Sequence, residues 1–226
     1  MFGGVYVLDL IFSRQTDIFV WIAYLLSVAV VVFLSTPIHE FAHAYSAVKL
    51  GDPTPKYMGR TTLNPFAHID NVGALLILLF GFGWAKPVEV NARNFNNPKG
   101  GMALTALAGP VSNLIVALAF HILFKLFISL GILTLSFGIY ICLFLNFIVQ
   151  INISLAVFNL IPIPPLDGSK LLAAILPDRI YYNLMRYERY FSLVLIFLIV
   201  SDVLDYPINF LYDAVYSLFD LITFWI

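Results

Sequence analysis

The sequence has few charged residues and only one cysteine. Of its 226 residues, 11% are Asp, Glu, Lys or Arg, whereas an average soluble domain carries about 25%. A chain this poor in charge cannot cover a large water-exposed surface, so an ordinary soluble protein is excluded. The formal net charge of −1 also argues against a nucleic-acid partner or an acidic substrate. The single cysteine, Cys142, excludes an internal disulfide and a zinc site built from several thiolates.

The N-terminal residues lack the basic segment that precedes the apolar core of a secretory signal peptide. Asp9 also interrupts their apolar stretch. We therefore expect a short interfacial segment, or an additional strand or helix, and not a cleaved leader.

Long apolar runs are what the sequence does contain. Hydrophobic residues make up 61% of the chain, and the mean hydropathy is +0.93. A transmembrane helix needs about 20 residues. Four runs reach or approach that length: 18–50, 101–136, 138–161 and 180–204. For the last run, 206–226, the sequence leaves open a final span or an interfacial helix, because Asp213 and Asp220 lie among its aromatic residues.

The apolar run at 73–85 is too short to span a bilayer and is interrupted by glycines. The segment KPVEVN that follows it alternates in polarity like a short strand. We interpret 73–92 as a re-entrant or β-hairpin-like membrane-inserted segment, sheltered from lipid by the rest of the protein. The runs together predict an all-α polytopic membrane protein with about four to six transmembrane helices. A single domain is expected over 1–226, ending in the C-terminal helices of 178–226.

The positions of the twelve Lys and Arg residues predict the orientation. Ten of them fall in three loops: after the run 18–50, between 73–85 and 101–136, and after 138–161. If 101–136 and 138–161 each cross the membrane, the chain returns to the side from which it started, and the three loops can lie on the same side. Cytoplasmic loops are the ones enriched in Lys and Arg, so these loops are expected in the cytoplasm. The ten are Lys49, Lys56, Arg60, Lys86, Arg93, Lys99, Lys170, Arg179, Arg186 and Arg189, which leaves Arg14 and Lys125 on the opposite side.

Inside the first apolar run, His39, Glu40 and His43 form the pattern H-E-x-x-H. Residues four apart share one face of a helix, so the two imidazoles can bind one zinc ion. Glu40 lies about 100° round the helix, close enough to take a proton from a zinc-activated water. By composition, this pattern arises by chance in roughly one such sequence in a thousand. At 1.5 Å per residue, the site lies roughly 15 Å inside the basic side of the membrane.

Two histidines leave a zinc site one protein ligand short. His121 is a poor third ligand, because it lies mid-span towards the opposite side. Asp167 follows a proline-rich break, 162–168, and opens the next short helix on the same side as the histidines. From these residues alone, Asp167 is equally well explained as a zinc ligand or as a helix N-cap.

Several segments together resemble the site-2 protease family of intramembrane zinc metalloproteases. HEFAH at 39–43 matches its zinc motif, and NLIPIPPLDG at 159–168 matches its pattern N-x-x-P-x-P-x-L-D-G. Further segments are similar to the compact bacterial branch that lacks PDZ and CBS modules. They are GRTTLNPFAHID at 59–70, FGWAKPVEVN at 82–91 and ALAGPVSN at 106–113. One departure is HIDNVG at 68–73, where the branch usually has proline after the aspartate; it bears on the loop shape.

The resemblance implies one zinc ion held by His39, His43 and Asp167, with Glu40 as the general base. It implies an intramembrane endopeptidase of the cell membrane, with its active site toward the cytoplasm, that acts in regulated intramembrane proteolysis. The expected partners are the lipid bilayer and a substrate protein with a transmembrane helix. Such a helix must unwind before cleavage, and the KPVEVN segment is expected to pair with the unwound stretch.

Four further polar residues have candidate roles with plainer alternatives. In the family, Asn113 and Asn159 would lie near the zinc and donate to the oxyanion or to the substrate backbone. Interhelical hydrogen bonding is the alternative for both. His68 and Asp70 could orient or cover the metal, although ordering of their loop is favoured.

Two other functions use the same histidine pair. A metal carrier or sensor would not need Glu40, and a transporter would place ionisable groups along a path through the membrane. Here these groups cluster at one end, which favours the enzyme. A catalytically inactive scaffold would likewise have little need of Glu40.

Overall fold

The computed structural model describes residues 17–70, 72–73, 75 and 86–226, and in these ranges the chain is helical and free of strands. The predicted N-terminal segment up to residue 16, and most of the predicted re-entrant segment, lie outside them. The helices within these ranges are α1 (Ile18–Lys49), α2 (Thr54–Tyr57), α3 (Pro98–Ser129), α4 (Gly138–Asn159), α5 (Asp167–Ile175), α6 (Asp178–Arg186), α7 (Glu188–Val200) and α8 (Asp205–Ile222).

Among the described helices, α1, α3 and α4 are each long and apolar enough to cross a membrane. They correspond to the predicted runs 18–50, 101–136 and 138–161, although α3 begins three residues earlier and ends at Ser129. The prediction of an all-α polytopic membrane protein is therefore confirmed.

The fourth predicted span, 180–204, is wrong as a single helix. The chain breaks at Tyr187, and α7 ends at Val200 after only 13 residues. Helix α8 then leaves at 80° to α7, and the two together could form one broken span. Between the two helices, Asp202 takes a positive φ of 57°, which interrupts the helical backbone. Whether 206–226 is part of a span or lies at the interface stays open, because the bent pair is compatible with a broken span and with a re-entrant loop.

Helix α1 is widened in the middle, at Val31–Ser35, where it takes π-helical form. The amide of Thr36 donates to the carbonyl of Val31, five residues earlier. Pro37 follows directly and has no amide hydrogen to donate, so a regular helix would be interrupted here in any case. The widened turn ends four residues before His39, and regular α-helix from Thr36 onward carries both histidines.

The core of the bundle is apolar packing between the spans. On one side, Tyr24 and Val28 of α1 pack against Phe147 and Ile151 of α4. On the other side, Ala117 of α3 belongs to a second cluster with residues of α4 and α8: Val149, Ile153, Val157, Ile208 and Phe219. Helix α3 contacts α1, α4 and α5, so it connects the elements that form the candidate site.

Helix α8 is joined to the far end of α3 by charged groups. The ammonium of Lys125 lies 2.6 Å from a carboxylate oxygen of Asp220, and Nε2 of His121 lies 3.4 Å from the same oxygen. His121 is twelve residues beyond Gly109 on this helix, which corresponds to about 18 Å. Because Gly109 lies beside His39 and His43, His121 is remote from them.

The described end of the predicted re-entrant segment, 86–91, has no regular secondary structure and belongs to no hairpin among the described residues. It is held at both ends. The amide of Lys86 donates to the carbonyl of His68 over 2.8 Å. The amide of Asn91 donates to the carboxylate of Asp52 over 2.7 Å. The segment is therefore fixed against the loop that follows α1.

Candidate metal centre

Helix α1 places the two imidazoles of H-E-x-x-H side by side. The ring centroids of His39 and His43 are 4.6 Å apart, and their Nε2 atoms are separated by 3.0 Å. Both residues are buried. The spacing of four residues brings the rings onto one face, as the sequence predicted.

Helix α5 brings a carboxylate to the same point from far along the chain. Oδ2 of Asp167 lies 3.0 Å from Nε2 of His43 and 3.3 Å from Nε2 of His39. Asp167 is the first residue of α5, and no side chain caps this helix. The alternative of Asp167 as an N-cap is therefore not what its carboxylate does in the structure.

The turn before α5 depends on Gly168. A Cβ at this position would lie within 3.0 Å of the carbonyl oxygens of Leu160 and Ile161. The missing side chain lets α5 start directly against the end of α4. Asp167 is thereby directed at the histidines.

The hydrogen bonds of His43 indicate that a cation belongs between these groups. Its Nδ1 lies 2.7 Å from the carbonyl oxygen of Thr105, which can only accept, so Nδ1 carries the hydrogen. In a neutral imidazole, Nε2 then has a bare lone pair, and it faces the carboxylate of Asp167. Two acceptors at 3.0 Å repel unless a proton or a metal ion lies between them. Together with Nε2 of His39, Nε2 of His43 and Oδ2 of Asp167 form a buried set of three potential metal ligands within 4.8 Å of one another. Such a set of nitrogen and oxygen ligands fits zinc.

Helix α3 forms the third wall of this centre through Thr105 and Gly109. Thr105 supplies the carbonyl that orients His43. A Cβ at Gly109 would lie within 3.0 Å of both imidazoles. Neither residue was selected from the sequence, although Gly109 lies in the segment ALAGPVSN that carries part of the family resemblance.

Lys170 is a third site residue that the sequence reasoning missed. It lies one turn after Asp167, and its Nζ is 3.0 Å from Oδ1 of that residue. Burial alone would raise the pKa of Asp167, but His43, His39 and Lys170 outweigh burial and hold it well below its usual value. Burial lowers the pKa of Lys170, and the carboxylates of Asp167 and Glu40 raise it overall. Asp167 is therefore an anion and Lys170 a cation at neutral pH.

A cavity of about 440 Å³ opens onto the three metal-ligating atoms. Glu40 is buried and lines it beside the histidines. The wall also includes Thr36, Pro87, Val88, Val90, Met102, Thr105, Ala106, Asn113, Leu155, Phe158, Asn159, Pro165, Leu166 and Lys170. Most of this wall is apolar, with acidic and amide groups close to the imidazoles.

Both candidate asparagines line the cavity. Asn113 is buried on α3, and its Oδ1 has no hydrogen-bond partner among the described residues. Asn159 ends α4, and its Nδ2 donates to the carbonyl of Leu155 over 2.9 Å. Asn113 therefore has unused hydrogen-bonding capacity, whereas Asn159 is partly engaged by its own helix.

His68 and Asp70 are absent from the described wall of the cavity and from the described metal-ligating set. His68 is fully buried, and its Nε2 lies 2.8 Å from the carbonyl of Thr62. The carboxylate of Asp70 accepts from the amides of Val72 and Gly73. These contacts order the loop, in agreement with the plainer alternative.

A bundle of apolar spans with two imidazoles and two carboxylates around an internal cavity defines a membrane-embedded, metal-dependent hydrolase. The model of peptidase family M50 matches residues 134–201, which include α4, the proline-rich turn and α5. The chain is 38% identical over 198 residues to the putative zinc metalloprotease YwhC of Bacillus subtilis, covering 85% of this chain and 90% of that protein. The chain belongs to peptidase family M50, the site-2 proteases, and is a multi-pass membrane zinc metalloprotease.

Other relatives carry the same description. The putative zinc metalloprotease Rip2 of Mycolicibacterium smegmatis is 27% identical over 192 residues, which are 83% of this chain and 70% of that protein. The putative zinc metalloprotease MJ0611 of Methanocaldococcus jannaschii is 37% identical over 102 residues, which are 45% and 49% of the two chains. No solved structure matches this chain. The predicted family, enzyme class and zinc cofactor are confirmed.

Proposed function

We propose that this protease cleaves transmembrane helices of other membrane proteins, in regulated intramembrane proteolysis, with His39, His43 and Asp167 as its zinc ligands. The observation that carries the proposal is the convergence of both Nε2 atoms and Oδ2 of Asp167 within 4.8 Å, inside a bundle of membrane spans. Among the described residues, the largely apolar cavity that contains these atoms gives a substrate segment access to them.

Zinc, when bound, polarises the scissile carbonyl and lowers the pKa of a water ligand to about 7. The residues of this chain supply the rest of the chemistry. Glu40 takes a proton from the attacking water and returns one to the leaving amine nitrogen. Thr105 holds His43 in the tautomer whose Nε2 is free to ligate.

Asn113 and Asn159 bind the reacting peptide in this proposal. Their side-chain amides lie on the cavity wall and can donate to the carbonyl oxygen as it gains negative charge. The atom of Asn113 that lacks a partner among the described residues is Oδ1, which can accept a hydrogen bond from an amide of the unwound substrate backbone.

The segment 86–91 aligns the substrate. A transmembrane helix hides its carbonyl groups in hydrogen bonds, so it has to unwind before cleavage. Pro87, Val88 and Val90 line the cavity, and the backbone there belongs to no described helix or strand. Unwound substrate can therefore add alongside it as a strand.

The active site faces the cytoplasm in this proposal. Lys49, at the end of α1, lies ten residues from His39, a depth of about 15 Å. Loops on that side carry ten of the twelve cations, and positive loops remain in the cytoplasm.

The competing function is a metal carrier that uses the same three ligands. The two differ in what they require of Glu40. A carrier transports metal without it, whereas the protease loses proton transfer and about 10²- to 10⁴-fold in rate. The cavity supports the protease, because its apolar wall suits a peptide better than a hydrated ion.

The test measures zinc content and cleavage of single-span membrane proteins by the wild-type protein and by Glu40→Gln. We expect both to bind one zinc ion and only the wild type to cleave. Glu188→Gln, at an exposed position of α7, is the matched control and should behave as wild type. Full cleavage by Glu40→Gln, or a wild-type protein that binds no zinc, would overturn the proposal.

A further inference from the structure

The carboxylate of Asp167 divides its two oxygens between two sets of partners. Oδ2 faces Nε2 of His39 and of His43. Oδ1 accepts from Nζ of Lys170 at 3.0 Å. Because Lys170 lies three residues after Asp167 on α5, one helical turn brings the ammonium directly over the carboxylate.

Lys170 also differs from the other Lys and Arg residues by its surroundings. Among the described residues of the cavity wall it is the single cation, and it shares that wall with the carboxylates of Glu40 and Asp167. The side chain of Asp167 is only 11% exposed. The side chain of Lys170 is 37% exposed, so the buried partner of this pair is the carboxylate.

We propose that Lys170 is a positioning residue for the metal: it holds Oδ1 of Asp167 so that Oδ2 alone is presented to the ion. The inference rests on the proposed ligand set. A carboxylate that lacks such a partner can rotate or bind through both oxygens, which crowds the coordination position that the substrate needs.

Residues that orient metal ligands through hydrogen bonds typically change metal affinity or activity 10- to 100-fold when they are removed. A residue that merely stabilises α5 would instead change the melting temperature and leave the metal environment as it was. The two roles are therefore separable by measurements on the metal itself.

The experiment compares Lys170→Met, Lys170→Gln and Lys170→Arg in the full-length, detergent-solubilised protein. Zinc affinity is measured by competition with a chelator, and the absorption spectrum of the cobalt-substituted protein is recorded. Lys56→Met, which removes an exposed lysine from α2, is the matched control.

We expect Lys170→Met to lower zinc affinity about 10- to 100-fold. Its cobalt bands should weaken, because release of Oδ1 allows a fifth ligand to bind and higher coordination lowers their intensity. Lys170→Arg keeps both charge and donor and should retain the wild-type spectrum. Lys170→Gln keeps a donor without the charge and should fall between the two, and Lys56→Met should match the wild type.

Wild-type zinc affinity and an unchanged cobalt spectrum in folded Lys170→Met would overturn the inference. If that variant does not fold, equal zinc affinity of Lys170→Gln and Lys170→Arg, with identical spectra, would overturn it instead. Failure of the proposed function looks different, since the wild-type protein would then bind no zinc, or His39→Ala would bind it normally.

Discussion

Gly109 of α3 lies directly against His43 of α1, so close that a Cβ at residue 109 would fall within 3.0 Å of Nε2 of that histidine. The same Cβ would lie 2.6 Å from Cε1 of His39. The two spans can therefore approach only where one has no side chain. Both atoms that would be struck belong to imidazoles, so a larger residue has to push the proposed ligands aside.

Gly109→Ala is accordingly expected to lower zinc affinity about tenfold or more while the bundle stays folded. The imidazoles can rotate away from the new methyl group, but they then no longer converge on Asp167. Zinc content and the melting temperature of the apo protein are the measurements. Leu104→Ala, at an exposed position of the same helix, serves as the control. Normal zinc content in Gly109→Ala would show that zinc binding does not depend on the close contact between Gly109 and the imidazoles.

Val88→Pro and Val90→Pro test strand addition by the substrate. Proline removes the backbone amide hydrogen that a paired substrate strand would accept from. Each variant should retain zinc and lose cleavage of transmembrane substrates. Val88→Ala and Val90→Ala keep the amide and should cleave efficiently. Folded proline variants that cleave at the wild-type rate would rule out pairing at this segment.

Asp52 predicts a specific loss of stability in acid. Its carboxylate accepts from the amide of Asn91, from the side chain of Asn94, and from the amide and hydroxyl of Thr54. Burial raises its pKa, but the side chains of Thr54 and Asn94 and the two amides outweigh burial and lower it. The folded state therefore binds this proton less tightly than the unfolded state does.

The contribution of Asp52 to stability is present above its unfolded pKa, about 3.9. It is lost as the pH falls through the lower folded-state value. In Asp52→Asn, the melting temperature should be lower at neutral pH, and the difference from wild type should shrink below about pH 4. Asp213→Asn, at an exposed position of α8, is the control. A melting-temperature difference between wild type and Asp52→Asn that stays constant from neutral pH to about pH 3 would contradict this account.

The membrane orientation is testable with single cysteines, because the one native thiol, Cys142, is buried. In a Cys142→Ala background, cysteine at Lys56 or Arg93 should react with an impermeant reagent only from the cytoplasmic side. Cysteine at Leu133, exposed in the turn between α3 and α4, should react only from the other side. The reverse pattern would invert the proposed topology.

Local patterns were predictable from the sequence, and long-range contacts mostly were not. The spans at 18–50 and 138–161 follow from apolar length alone. The break at Tyr187, between α6 and α7, was missed, because the amphipathic start of 180–204 was joined to the apolar run that follows it as one span. Thr105, Gly109 and Lys170 were missed for a related reason: their importance comes from what lies beside them in space.

The sequence by itself determined the membrane class and the zinc motif. Both follow from short-range rules. The first is the length of the apolar runs, and the second is the four-residue spacing that puts His39 and His43 on one helical face. Only the tertiary structure decided that Asp167 meets those imidazoles, because it lies 124 positions after His43, beyond the described helices α2, α3 and α4. Close approach of backbones at Gly109 and Gly168 makes that meeting possible, and such an approach is a property of packing, which no local pattern encodes.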